Sequence, residues 1–208
     1  MTRRIVCSAA LCIAGLGLVL ASSPGFAQQP PPVRIRGTIE AVDGNALTLK
    51  SRDGSEIKLA LGKDAVVVAV VKASLAEIKE GTFLGSAAMP QADGTQKALE
   101  VHIFPEQMRG TGEGHRPYAP VANSTMTNGT AAGATVAGVD GSTITVKYKD
   151  GEKKIVVPPD VPVVRYEIGG NGDLKAGAHF TVVAATKKPD GSFEASRINV
   201  GRDGVVPQ

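Results

Sequence analysis

The chain has 208 residues, with 23 Lys and Arg against 20 Asp and Glu, and only eight aromatic side chains, three Tyr and five Phe. So even a charge balance argues against a nucleic-acid binder, which would carry a strong basic excess. Its two cysteines, Cys7 and Cys12, both lie in the first dozen residues.

Residues 1–27 have the order of a secretory leader. Arg3 and Arg4 precede an apolar run from Ile5 to Ala21, then Ser22-Ser23-Pro24 and a small-x-small end at Gly25-Phe26-Ala27. The run is short for a spanning helix, which needs about 20 residues. Cleavage is therefore expected between Ala27 and Gln28, placing the protein in the periplasm or outside the cell with no stable membrane anchor. Neither cysteine follows a small residue, so lipid attachment is not expected. Removal of the leader takes both cysteines with it, which excludes disulfides, thiolate nucleophiles and cysteine-based metal sites from the mature chain. Taking Arg3 and Arg4 from the 23 basic residues leaves 21 against 20 acidic ones. The remaining 181 residues of the 208 suit two small domains.

A Gln/Pro-rich spacer, residues 28–32, leads into an internal repeat. Shifting the chain by 97 positions lays Val42-Asp43-Gly44 on Val139-Asp140-Gly141, Asp53-Gly54 on Asp150-Gly151 and Asp93-Gly94 on Asp190-Gly191. Apolar positions follow: Ile39 with Val136, Leu47 with Ile144, Leu49 with Val146, Phe83 with Phe180 and Val101 with Ile198. Such repetition defines the folding unit. The units are residues 33–104 and 134–202, joined by a linker over 105–133 and followed by a tail, 203–208.

Within each unit hydrophobic residues alternate, the signature of strands. The first unit predicts strands around Ile35–Val42, Leu47–Lys50, Ile57–Leu61, Val66–Val71, Thr82–Met89 and Lys97–Phe104. Asp-Gly pairs mark tight hairpins, and a short helical turn runs from Ser74 to Gly81. The second unit repeats the plan, with Leu174-Lys175-Ala176-Gly177 replacing the turn. Strands this few and short close most economically into barrels, which leave no unpaired edge. The expected fold is all-β, two small OB-like barrels in tandem after a helical leader. The order V-D-G-x-x-L-T-L-K-x-x-D-G, then K-E-G or K-A-G, D-G and a closing A-x-E-V or A-S-R-I strand resembles a bacterial exported family catalogued as a domain of unknown function. That resemblance implies small OB-like barrels and an envelope-located, non-enzymatic module; it carries over no catalytic residues.

Candidate chemistry is sparse. Glu100 and His102 alternate with Leu99, Val101 and Ile103, so they face away from the barrel core; Arg197 and Asn199 hold those places in the second unit. A solvated strand face is expected there. The linker carries Met108, Glu113 and His115, a mixed soft and borderline ligand set suited to copper or zinc, beside the blander readings of a flexible linker or a loop packed on a barrel. Its glycines do not match a dinucleotide turn. Residues 119–133 have the composition of a disordered tether. His179 stands alone as a structural histidine. With seven aromatics after loss of Phe26 and balanced charge, single-stranded nucleic acid is not an expected partner. The expected function is an exported binding or interaction module whose partner is an envelope protein or a small ligand, with metal handling through Met108, Glu113 and His115 as the alternative.

Overall fold

The computed structural model describes residues 31–136 and 142–207. The leader expected over residues 1–27, its expected Ala27–Gln28 junction and the turn expected at Val139-Asp140-Gly141 lie outside the described residues. The described chain is all-β: β1 (Val33–Asp43), β2 (Ala46–Ser51), β3 (Glu56–Lys72), β4 (Phe83–Pro90), β5 (Gln96–Ile103), β6 (Gly114–Pro117), β7 (Thr125–Val136), β8 (Ser142–Tyr148), β9 (Gly151–Val157), β10 (Val163–Ile168), β11 (His179–Lys187) and β12 (Phe193–Gly201). The turn expected over Ser74–Gly81 is a single 3-10 turn, Leu75–Glu77, in which Ser74 N–H donates to the Glu77 carboxylate at 3.0 Å. No helix among the described residues is long and apolar enough to cross a membrane.

The strands close two rings. In the first, β1 pairs with β2, β2 with β3, β3 with β12, β12 with β11 and β11 with β1. In the second, β7 pairs with β8, β8 with β9, β9 with β5, β5 with β4 and β4 with β7. Only β3–β12 and β5–β9 are parallel within the rings. Each ring encloses an apolar core. Ile35, Ile39, Leu47, Leu49, Phe180, Ile198 and Val200 fill the first; Leu84, Val101, Ile144, Val146, Ile155 and Val157 fill the second.

This is not the sequential tandem that the repeat suggests. Each ring takes three strands from one half of the chain and two from the other, and all twelve strands belong to one continuous sheet. The cause lies in β3. Ile57–Leu61 and Val66–Val71, expected as separate strands, are one 17-residue strand. Its β-branched run favours continued extension, and the chain is carried past its own ring into the other, where β4 and β5 pair with β7 and β9. The corresponding stretch of the second half is broken between β9 and β10, where Pro158, Pro159 and Pro162 remove three ladder donors. Beyond the break, β10 lies antiparallel on the end of β3, Tyr166 opposite Val70, and parallel to β5. A third cluster fills this seam: Val68, Val70, Phe83, Phe104, Met108, Val164, Tyr166 and Val205.

The second unit also begins earlier than residue 134. In the first ring Thr38 faces Lys50 and Ile39 faces Leu49; in the second Thr130 faces Lys147 and Ala131 faces Val146. Ala131, not Val136, therefore takes the place of Ile39, a shift of 92 rather than 97. A Cβ on Gly37 would sit 1.8 Å from the Lys50 carbonyl oxygen, and one on Gly129 2.2 Å from that of Lys147. Both glycines are demanded by the same close strand approach. The stretch expected as a tether thus holds most of β7, whose Thr, Asn, Gly and Ala residues carry little of the apolar alternation that marks a strand.

Candidate functional site

Where the two rings meet, their outer faces enclose a cleft of about 940 Å³, within the size of small-molecule sites. β1 alternates Ile35 and Ile39 into the first ring, so Arg34 and Arg36 face the cleft; β12 does the same with Arg197 and Asn199. From the second ring, β5 supplies Glu100 and His102, and β7 supplies Met126 and Asn128. These are matching positions in the two units, decorated differently. The first ring is basic; the second offers a carboxylate, an imidazole and an amide.

Glu100 and His102 do point out of their ring, as the alternation requires. They are nevertheless buried, at 7% and 5% exposure, and line the ligand-sized cleft instead of forming the expected solvated face. The His102 ring stacks on Tyr166, centroids 5.3 Å apart and 9° from parallel, and stands edge-on to Phe104 at 5.4 Å. His102 Nδ1 lies 3.6 Å from Glu100 Oε1, beyond a good hydrogen bond. Burial, reinforced by the Glu100 charge, pushes the Tyr166 phenol above its ordinary value. Gly85 makes room beneath: a Cβ there would lie 2.3 Å from His102 Nε2 and 2.5 Å from Asn128 Oδ1.

Five arginines line the cleft, Arg34, Arg36, Arg52, Arg116 and Arg197, against Asp53 and Glu100 as the only lining carboxylates. None of the five is ion-paired among the described residues, whereas Arg109, Arg165 and Arg202 all are. Arg34 lies over the Tyr118 ring at 5.8 Å. Arg197 Nε donates to Asn199 Oδ1 at 3.1 Å, and burial holds its pKa below the usual guanidinium value. Among the described residues Arg36 has no side-chain hydrogen-bond partner: its Nε and Nη2 are buried without one, as are His102 Nδ1 and Asn128 Oδ1. The Asn128 amide orientation is fixed because Nδ2 donates to the Thr111 carbonyl at 2.9 Å, so the free atom is an acceptor.

The candidate metal ligands fall elsewhere. Met108 packs in the seam cluster with Phe83 and Phe104. Glu113 accepts the Lys149 backbone N–H at 3.1 Å; His115 Nδ1 lies 2.8 Å from Thr127 Oγ1 and its ring stacks near Tyr148. Glu113 and His115 both lie against residues 148–149, whereas the Met108 side chain is committed to the seam cluster. Burial and the Lys153 charge lower the His115 pKa. No three His, Cys, Asp or Glu side chains converge among the described residues. The segment around them is ordered and packed rather than a free linker. Gly110, Gly112 and Gly114 all adopt positive φ, β6 adds to the edge of β7, and Thr111, Arg116 and Tyr118 reach the cleft.

Sequence reasoning passed over Arg34, Arg36, Asn128 and Tyr166. The legible signal was Arg-x-Arg on the outward face of one strand and Arg-x-Asn on another; their convergence depended on the strand exchange. Compared with protein-family models, curated proteins and solved structures, the chain finds no match.

Proposed function

We propose that this chain is an exported, non-enzymatic binding module in which each ring is an OB-like barrel and a small ligand is held in the cleft between them. The ring order supports the barrel assignment: the first ring follows the path first, second, third, fifth, fourth strand, and the second follows the same path when its strands are numbered by their place in the repeat, β7, β8, β9, β4, β5. The leader pattern of residues 1–27, ending at Ala27 and Gln28, supports export. One observation carries the binding reading: the four buried side-chain atoms left without a hydrogen-bond partner, Arg36 Nε and Nη2, His102 Nδ1 and Asn128 Oδ1, all belong to residues lining this one cleft. Each such atom costs about 1–3 kcal/mol, a cost that a ligand of matching polarity offsets and that packing alone leaves standing.

The test is a thermal-shift screen of small molecules against the wild type and Ser196→Trp. Ser196 is an exposed residue on the cleft wall, so the indole fills the cleft without disturbing either core. Compounds that stabilise the wild type and not the tryptophan variant support the assignment. Compounds that stabilise both equally overturn it.

A further inference from the structure

Resting on the cleft as the binding site, we infer that its ligand is a small oxyanion, carboxylate- or phosphate-bearing, with a hydrogen-bond donor at its other end. The two orphaned atoms of Arg36, Nε and Nη2, are the side-on edge of one guanidinium, whose N–H bonds run parallel. That fork matches two oxygens of a carboxylate or phosphate and bonds them in pairs. A lone carbonyl or hydroxyl fills only half of it.

The electrostatics agree. The lining holds five arginines against two carboxylates, in a chain whose basic and acidic residues nearly balance overall. Arg34 and Arg197 share the wall with Arg36, and neither has a carboxylate to neutralise it among the described residues. A half-buried guanidinium without a counter-charge is costly, most of all at Arg197, where burial lowers the pKa, and an anion brought between such groups relieves that cost. The opposite wall reads the other way: Asn128 Oδ1 is an acceptor without a protein donor, and β5 adds the Glu100 carboxylate to the same lining. A ligand that is anionic at one end and carries hydroxyl or amine hydrogens at the other satisfies both walls; a sugar acid and a sugar phosphate share this chemistry. The orphaned atoms have essentially no contact with bulk water, so entry requires neighbouring side chains to part. Arg52 and Arg116, with exposed side chains on the cleft lining, are placed to draw an anion in.

Isothermal titration calorimetry at fixed ionic strength tests this with inorganic phosphate, glucuronate, glucose 6-phosphate and glucose, using the wild type, Arg36→Lys and Ser196→Trp. The expected result is that an anionic sugar binds, glucose does not, and Arg36→Lys, which keeps the charge but loses the fork, weakens binding about tenfold or more. Glucuronate over glucose 6-phosphate assigns a carboxylate, and the reverse a phosphate. Binding of glucose as tight as that of its acids, or a wild-type isotherm for Arg36→Lys, overturns the oxyanion assignment; the cleft stands as the binding site provided Ser196→Trp still abolishes the heat. No heat from any anion overturns the oxyanion class alone, while the library screen separately judges the cleft. Tighter binding of a twelve-residue oligothymidine than of any sugar acid overturns the small-ligand class.

Discussion

Successive residues of β10 face opposite sides of the seam, and the two sides treat arginine in opposite ways. On one side Arg165 contacts Glu77 and Glu167, and Arg202 contacts Glu167 and Asp173 at 2.6 Å each. Every charge there has a counter-charge, drawn from four separate segments of the chain. On the other side Tyr166 faces the cleft, where Arg36 and Arg197 have no carboxylate partner among the described residues. The first arrangement is how charge is used to hold elements in register. The second leaves hydrogen-bonding capacity unspent, at a cost in stability, and this is the feature on which the proposed binding site rests.

The comparison fails outright if the rings do not exchange strands, because the seam would not exist. Cysteines replacing Thr38 on β1 and His179 on β11, opposite each other in the first ring, should form a disulfide in nearly every monomer when Cys7 and Cys12 are changed to serine. A gel showing no intramolecular cross-link would restore the sequential arrangement. Next in size is the shared pivot. Tyr166→Ala removes the ring that stacks on His102 and stands edge-on to Phe104 at 5.2 Å, and should cost about 3–5 kcal/mol in chemical denaturation. Tyr166→Phe keeps the ring and should stay within about 1 kcal/mol of wild type.

The two sides then separate by sign. Arg202→Ala deprives Glu167 and Asp173 of their partner and should destabilise by about 1 kcal/mol, modest because the network is partly solvated. Arg36→Met removes a half-buried guanidinium whose Nε and Nη2 lack protein partners and should leave stability unchanged or raise it, since no partner is orphaned by the change. Loss of stability by Arg36→Met as large as that of Arg202→Ala would mean that Arg36 is structural.

The β class, the core residues and the turns were legible because they rest on local alternation and on Asp-Gly chemistry. Leu47, Leu49, Ile144 and Val146 are buried where their period placed them. What escaped depends on partners distant in sequence. Nothing local says whether β3 turns back or runs on, so ring membership could not be read from either half. β7 escaped because its core residue is Ala131 and its neighbours are Thr, Asn and Gly. The 97-residue shift aligned the turns but not the first strands, which correspond at 92. Overall charge balance concealed the cleft as well, since its basic excess is local and the acidic residues that offset it in the total lie elsewhere in the chain.

The smallest expected difference is in acid. Hydrogen bonds from Arg202 hold the Asp173 carboxyl below its ordinary 3.8, and those from Arg165 hold Glu167 below its ordinary 4.5. A carboxylate with a depressed folded pKa contributes stability that is fully present above the unfolded value and is lost as pH falls through the folded one. The gap in stability between wild type and Arg202→Ala should therefore hold steady above about pH 5 and close as the solution is acidified past those values. Arg36 has no carboxylate to titrate against it, so the curve for Arg36→Met should run parallel to wild type over the same range. Thermal melts across the acid limb read both slopes. An Arg36→Met curve that converges on wild type in acid would reveal a hidden carboxylate partner and erase the contrast between the two sides of the seam.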